Sequence, residues 1–182
     1  MQKEIIIAGF GGQGVLFGGQ VLAYAAMDTG MEVTWIPSYG PEMRGGTANC
    51  TVVVSDREIG SPIVKNPPLA IALNLPSFDK YESLLATGGT LIVNQSMVDR
   101  TAKRGDIHSI FVPCNEIAEE IGDKRLLNMV AVGALLTALP EIGLKDVEKA
   151  LENHLPAKHK HLLPKNFVAL KRGYETALEM PA

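Results

Sequence analysis

The sequence predicts an α/β protein with a mostly parallel sheet flanked by helices, in a Rossmann-like three-layer arrangement with a helical C-terminal segment. Short β-branched runs alternate with helix-patterned stretches through the first two thirds of the chain, and this alternation is typical of parallel sheets. The last third shows helical periodicity alone. The 182 residues fit one domain, residues 1–182, since single cores commonly contain roughly 100–200 residues.

The first three elements form a strand–helix–strand unit. Glu4–Ala8 is an apolar, β-branched run that ends in a glycine-rich turn, which indicates a buried strand. A helix over Gly14–Thr29 follows, because its apolar residues recur at helical spacing, and Gly30 is a natural stop. The second strand is Glu32–Ile36, closed by Pro37. This order predicts a parallel pair joined by a right-handed crossover.

The remaining elements follow from the same two periodicities. Further strands are predicted at Thr47–Ser55, Leu69–Leu73, Thr90–Asn94 and Asp106–Val112. Further helices are predicted at Ser77–Ala86, Pro113–Ile121, Asn128–Leu139, Leu144–Asn153 and Phe167–Leu178. The first of these helices is expected to begin on Ser77 as its cap. The stretch His154–Pro164, rich in proline, histidine and lysine, is predicted to be a linker.

Composition and charge exclude several classes of function. The chain is 46% apolar and 20% charged, as ordinary globular proteins are, and its net charge of -3 gives no footprint for nucleic acid. The longest apolar run, Met129–Leu139, is shorter than the roughly 20 residues that cross a bilayer. The N-terminus lacks the pattern of a signal peptide. We therefore expect a cytoplasmic protein with neither nucleic acid nor membrane as a partner.

Cysteines and histidines give no metal-binding pattern. The two cysteines, Cys50 and Cys114, do not form a C-x-x-C motif, so this chain alone is expected to build neither a zinc site nor an iron–sulfur cluster. Cys50 is predicted to be a buried, inert thiol, whereas Cys114 opens a helix, which would lower its pKa. The histidines interpreted as linker residues are His154, His159 and His161. No metal site and no catalytic residue is predicted.

The first candidate site is Gly9-Phe10-Gly11-Gly12-Gln13-Gly14, a G-x-G-x-x-G motif between a strand and a helix. Its glycines permit close backbone approach, and the helix N-terminus attracts anions. A dinucleotide site also requires an acid where the second strand ends, but no carboxylate occurs there before Glu42. The NAD hypothesis fails on this ground. Anion contact and tight helix–sheet packing remain alternatives for Gly11, Gly12, Gln13 and Gly14.

The second candidate site is Tyr39-Gly40-Pro41-Glu42-Met43-Arg44-Gly45-Gly46-Thr47, at the carboxyl end of the second strand. Open α/β sheets bind ligands at this edge, and Arg44 is able to hold a carboxylate or phosphate bidentately. A local ion pair between Glu42 and Arg44 is the alternative. Asn74, in the turn Asn74-Leu75-Pro76-Ser77, lines the same crevice or belongs to a simple turn. The candidate contact residues in these segments are Tyr39, Glu42, Arg44, Gly45, Gly46 and Asn74.

These two segments, with Ile59-Gly60-Ser61-Pro62 and the Asn74-Leu75-Pro76-Ser77 turn, resemble the gamma subunit or gamma domain of 2-oxoacid:ferredoxin oxidoreductases. The amino-acid sequence of Tyr39–Thr47 is most similar to that of the family members that take 2-oxoglutarate or 2-ketoisovalerate. The resemblance implies an enzyme that decarboxylates a 2-oxoacid on thiamine diphosphate and passes electrons through iron–sulfur clusters to ferredoxin. Its products are an acyl-coenzyme A and CO₂.

The resemblance also implies that the chemistry lies on partner chains, since this sequence lacks cluster cysteines and a G-D-G…N thiamine diphosphate motif. Thiamine diphosphate, Mg, an iron–sulfur cluster and coenzyme A are expected in the holoenzyme, and none on this chain alone. Alpha and beta subunits are the expected partners and ferredoxin an indirect one; a delta subunit and a homodimer of the isolated chain stay open. Two rival hypotheses are a free-standing nucleotide-binding Rossmann-type protein and a purely structural assembly subunit.

Overall fold

A computed structural model describes residues 1–40 and 46–180, and in this part of the chain six strands form one sheet. The strands are β1 (Gln2–Phe10), β2 (Glu32–Tyr39), β3 (Thr47–Ser55), β4 (Leu69–Ala72), β5 (Thr90–Asn94) and β6 (His108–Val112). Their order is β2-β3-β1-β4-β5-β6, and β3 alone runs antiparallel to its neighbours. The prediction of a mostly parallel α/β sheet is confirmed.

The predicted pairing of the first two strands is wrong, because β3 lies between them. β3 pairs with β1 from Gln2↔Ser55 to Phe10↔Thr47, and with β2 along its other side. The sequence shows where strands occur, but it does not show that β3 lies antiparallel between β1 and β2. β2 also continues through Pro37 to Tyr39, which an edge strand tolerates because its outer side needs no ladder donor.

Within residues 1–40 and 46–180, six α-helices follow the predicted positions with shifted ends. They are α1 (Val15–Asp28), α2 (Leu75–Leu84), α3 (Cys114–Ile121), α4 (Leu127–Leu135), α5 (Leu144–His154) and α6 (Leu163–Glu179). The predicted cap of α2 is wrong: Asn74 Oδ1 accepts a hydrogen bond from Ser77 N at 2.9 Å, so Asn74 is the cap. The predicted linker contains a 3₁₀ helix, Ala157–Leu162, after which α6 begins before its predicted start.

The two faces of the sheet carry different helices. Ile5 and Ile7 of β1 face the layer that contains α1 and α3–α6, whereas Ile6 and Ala8 face α2. The connection through α1 leads from β1 toward one edge of the sheet, and the connection through α2 leads from β4 toward the other. The connections therefore diverge between β1 and β4, and such a switch point opens a crevice at the carboxyl ends of the strands.

The helical layer is closest where α4 crosses α6. A Cβ atom on Gly133 would overlap the Leu170 carbonyl oxygen, and one on Gly173 would overlap the Val130 carbonyl oxygen. Every residue of α4 after Leu127 is buried, as predicted for this apolar segment. None of the helices in residues 1–40 and 46–180 combines the length and apolarity that crossing a membrane requires.

Candidate functional site

The glycine loop, residues 9–14, turns sharply from β1 into α1. Gln13 N donates to Phe10 O at 3.1 Å, and Gly12, the third residue of that turn, has φ +100°. Gly14 caps α1 in the left-handed conformation at φ +73°, and a Cβ there would overlap the Asn128 side chain. Backbone conformation thus requires glycine at 12, and both conformation and space require it at 14.

The Gln13 side chain bridges the crevice between β1 and β4. Its Oε1 accepts from Phe10 N at 2.7 Å and from Asn74 Nδ2 at 3.5 Å, while its Nε2 donates to Leu73 O at 3.2 Å. Gly9 makes room for it, because a Cβ at Gly9 would lie 2.6 Å from Gln13 Oε1. The amide of Gln13 therefore has internal partners on both strand ends.

The structure brings the two glycine segments into contact. Gly11 N donates to Gly46 O at 2.9 Å, and Gly40 N donates to Thr47 O at 2.8 Å. Tyr39 is 70% exposed and borders a shallow groove of about 280 Å³ along the glycine loop and the start of α1. The other candidate residues of the second segment, Glu42, Arg44 and Gly45, lie outside the described residues.

Asparagines extend this polar edge past β4. Asn74 is buried at the end of β4, and buried Asn94 ends β5. Asn94 Nδ2 donates to Leu73 O at 3.2 Å and to Asn115 Oδ1 at 3.0 Å, at the start of α3. The sequence analysis missed Asn94 and Asn115. The available signal was an asparagine directly at or after the end of each of two buried strands.

A cavity of about 320 Å³ lies on the helical side of the glycine loop. Its lining includes Gly12 and Gly14 and the titratable side chains of Asp123, Arg125, His159 and Lys165. Helix α1 has no acidic residue in its first turn, so its positive N-terminal dipole is not offset there. Two cations against one carboxylate leave the lining with a net positive charge, which favours an anion.

Two of these cations have internal partners. The Arg125 guanidinium donates to both carboxylate oxygens of Asp123, at 2.9 and 2.7 Å, and this hydrogen bonding lowers the pKa of Asp123 to about 2. Lys165 Nζ donates to Gly122 O at 3.3 Å. Arg125 is nevertheless exposed, so a bound anion would compete with Asp123 in solvent, where such pairs are weak.

Both thiols are buried and inert. Burial raises the pKa of Cys50 to about 12. Burial, with a smaller contribution from Glu116, also raises the pKa of Cys114, so the expectation that the helix start would lower it is wrong. Cys50 lies on β3 and Cys114 on α3, so the pair does not fit an iron–sulfur cluster. Within the described ranges, no group of three or more His, Cys, Asp or Glu side chains could hold a metal ion.

His154 is not a linker residue, contrary to the sequence interpretation. It ends α5, stacks on Tyr24 of α1 with ring centroids 4.0 Å apart, and lies 2.9 Å from Asp28 Oδ1. Asn153 Nδ2 donates to Asp28 at 3.1 Å. These contacts join the C-terminal ends of α1 and α5, away from the glycine loop.

The topology gives a second reason against a dinucleotide. The acid that holds a ribose ends the strand beside β1. Here that neighbour is β3, which runs antiparallel and begins at this edge with Thr47. Among residues 1–40 and 46–180, the strand beside β1 on that side has no carboxyl end at this edge, and Gln13 occupies the crevice on the other side of β1.

Comparisons with known proteins agree with this architecture. Residues 4–176 match the model of the pyruvate ferredoxin/flavodoxin oxidoreductase family. A 2-oxoglutarate synthase subunit KorC of Methanothermobacter marburgensis is 38% identical over 186 residues, 98% of either chain. A ketoisovalerate oxidoreductase subunit VorA of Methanothermobacter thermautotrophicus is 39% identical over 98% of this chain, which spans only 37% of that relative.

A solved structure matches nearly the whole chain. The gamma subunit of a keto/oxoacid ferredoxin oxidoreductase from Geobacter sulfurreducens PCA superposes with a TM-score of 0.83 at 29% identity, and the match covers 98% of this chain and 99% of that one. The same fold therefore occurs as a complete subunit and as a part of a longer chain.

Proposed function

The chain belongs to the pyruvate ferredoxin/flavodoxin oxidoreductase family, and from this premise we propose that it is the gamma subunit of a 2-oxoacid:ferredoxin oxidoreductase. The enzyme would convert a 2-oxoacid, 2-oxoglutarate or 2-ketoisovalerate, and coenzyme A to an acyl-coenzyme A and CO₂. The observation that carries the proposal is the match to a KorC subunit over 98% of both chains. A cytoplasmic location is part of the proposal.

The catalytic cofactors are proposed to lie on partner subunits. The two buried thiols of this chain do not fit a cluster, so iron–sulfur clusters, thiamine diphosphate and Mg would belong to alpha and beta subunits. Relatives support such partners, because the same domain is a separate chain in KorC and about a third of VorA. In VorA this domain is joined covalently to the rest of the protein. Where the domain is a separate chain, as in KorC, we expect it to contact the subunits that correspond to the rest of VorA.

The carboxyl edge of the sheet is the proposed contact surface for coenzyme A and for the partner. Coenzyme A would supply the thiol that accepts the acyl group, and its phosphates are the anions that this edge suits. Gly11 N and Gln13 N have internal acceptors, which leaves at most the amides of Gly12 and Gly14 from the loop. Arg44, Arg125 and Lys165 are the proposed cationic contacts, and exposed Tyr39 would meet the partner.

Affinity capture of the tagged chain from its own cells tests the proposal. We expect partner chains with the visible absorbance of iron–sulfur clusters, and a complex that reduces ferredoxin with 2-oxoglutarate or 2-ketoisovalerate only when coenzyme A is present. A chain recovered alone with a bound nucleotide would instead support the Rossmann-type rival.

Replacing Arg44 separates ligand contact from a purely structural role. In the captured complex, Arg44→Ala should raise the apparent KM for coenzyme A about tenfold, the scale of one charge-assisted hydrogen bond. Arg57→Ala is the matched control, because Arg57 is exposed just after β3, at the opposite edge of the sheet. Equal KM values for both variants and the wild type would favour a structural assembly subunit.

A further inference from the structure

The polar atoms of Gln13 all point inward, although the residue lies in an exposed glycine loop. Its Oε1 accepts from Phe10 N at 2.7 Å, and its Nε2 donates to Leu73 O at 3.2 Å. The two partners fix which half of the carboxamide faces which strand. Only a side chain with an acceptor on one atom and a donor on the other satisfies both at once.

The same side chain belongs to a longer chain of hydrogen bonds. Leu73 O accepts a second hydrogen bond from Asn94 Nδ2, which also donates to Asn115. Phe10, the other partner of Gln13, precedes Gly11 in the chain, and Gly11 N donates to Gly46 O at 2.9 Å. Gln13 thus stands between the second glycine segment and the ends of β4 and β5.

We propose that Gln13 is a positioning residue: its carboxamide clamps the glycine loop to the end of β4 and thereby fixes the loop that coenzyme A and the partner meet. The inference rests on the proposed function for its kinetic consequence. Gln13 does not itself contact the ligand. It acts through Phe10 and Gly11, and through Gly11 on the position of Gly46.

Gln13→Glu tests the clamp, because the hydrogen bonds of the new side chain depend on whether its carboxyl is protonated. When protonated, the new carboxyl can still accept from Phe10 N and donate to Leu73 O; when ionised, it turns a negative oxygen toward the Leu73 carbonyl. The Leu73 carbonyl favours the neutral carboxyl, whereas the Phe10 N–H favours the ionised one, so the proton state decides whether the contact with Leu73 is made. The clamp should therefore open as the pH rises through the pKa of the new carboxyl.

In the captured complex at pH 8, Gln13→Glu should raise the KM for coenzyme A about five- to tenfold with kcat within about twofold, the scale of one or two lost hydrogen bonds. The ratio of variant to wild-type KM should fall as the pH is lowered from 8 toward the pKa of the new carboxyl. Gln13→Leu, which keeps the bulk but neither polar atom, should raise KM without that pH dependence. Gln2→Glu adds the same charge at the exposed far end of β1 and should change neither value.

Hydrogen exchange of the isolated full-length chain tests the clamp without partners. In Gln13→Leu, the Phe10 and Gly11 amides should exchange at least about tenfold faster than in the wild type, while amides of α6 keep their rates. Unchanged exchange at Phe10 and Gly11 overturns the inference, as does a Gln13→Glu KM ratio that is the same at every pH. A wild-type complex without coenzyme A-dependent turnover overturns the proposed function instead, and the exchange result still decides the role of Gln13.

Discussion

Glycines occur in two regions of this protein for different physical reasons. At the crossing of α4 and α6, Gly133 and Gly173 leave no room for a Cβ, because each faces a carbonyl oxygen of the opposite helix. In the β1–α1 loop, Gly12 has open space around it but a backbone φ of +100°. The first pair permits close helix packing, whereas Gly12 permits a turn.

The surroundings of the two regions differ in the same way. Val130 and Leu170 at the helix crossing are fully buried in the apolar core, so a substitution there should change folding alone. The glycine loop lies at the exposed edge of the sheet, beside Tyr39 and the anion-favouring cavity. Substitutions in the loop should change stability less and the proposed activity more.

The largest effect is expected at the helix crossing. Gly133→Ala and Gly173→Ala should each lower the free energy of unfolding by about 3 kcal/mol, because the added methyl group must separate two helix backbones. Urea unfolding of the isolated chain measures this change. Gly105→Ala is the control, since a Cβ at Gly105 meets no atom within 4 Å. A loss below about 1 kcal/mol for both helix variants would refute the close-packing account.

The next effect is expected at Gly14, where conformation and space both matter. Gly14→Ala should lower the free energy of unfolding by about 2 kcal/mol, from the left-handed backbone and from displacement of Asn128, which donates to Gly14 O at 3.1 Å. Gly122→Ala provides the comparison for conformation alone. Gly122 has φ +84°, and a Cβ added there would meet only Lys165 Nζ, at 3.6 Å. We therefore expect Gly122→Ala to lower the free energy of unfolding by about 1 kcal/mol. Equal losses at both positions would show that Asn128 moves aside freely.

A smaller and more discriminating effect is expected at Gly12. Gly12→Ala and Gly30→Ala should each lower the free energy of unfolding by about 1 kcal/mol, because both glycines have positive φ and neither Cβ would meet an atom within 4 Å. Gly30 lies at the opposite end of α1, so only Gly12→Ala should raise the KM for coenzyme A in the captured complex. A KM increase for Gly30→Ala as well would argue against a special role for the loop.

The smallest effect concerns Asp28. Hydrogen bonds from His154 and Asn153 lower the pKa of the Asp28 carboxyl below its unfolded-state value of about 3.9. The ionised carboxylate therefore stabilises the fold above that value. This stabilisation is lost as the pH falls through the lower folded-state pKa. Asp28→Asn should lower the free energy of unfolding at pH 7 by less than about 1 kcal/mol. Thermal unfolding from pH 5 down to pH 2 should show the difference shrinking as the Asp28 carboxyl is protonated. A difference that grows between pH 4 and pH 2 would contradict the assigned contacts.

Local patterns predicted the elements well and their neighbours less well. Thr90–Asn94 has the predicted bounds, because a short buried run between turns leaves little choice. The insertion of β3 beside β1 depends on long-range pairing that no local pattern records. Asn74 rather than Ser77 caps α2, since Pro76 is tolerated in the first turn of the helix.

The candidate site was predicted in part for the same reason. The sequence predicted the glycine loop between a strand and a helix and the second segment at the carboxyl edge, but it did not predict that Gly11 N donates to Gly46 O. The inward direction of the Gln13 side chain depends on Leu73, which is distant in the chain. The contribution of Asn94 and Asn115 depends equally on the order of β4, β5 and β6, which only the fold reveals.

Hydrogen exchange of the chain alone and within its captured complex tests the central claim most directly. The account predicts that residues 9–17 and 38–49 gain protection in the complex, while the exposed end of α1 around Gly30 and the exposed side of α6 at Val168 keep their rates. Protection confined to Gly30 or to α6, with residues 9–17 unchanged, would contradict the assignment of the carboxyl edge as the functional surface.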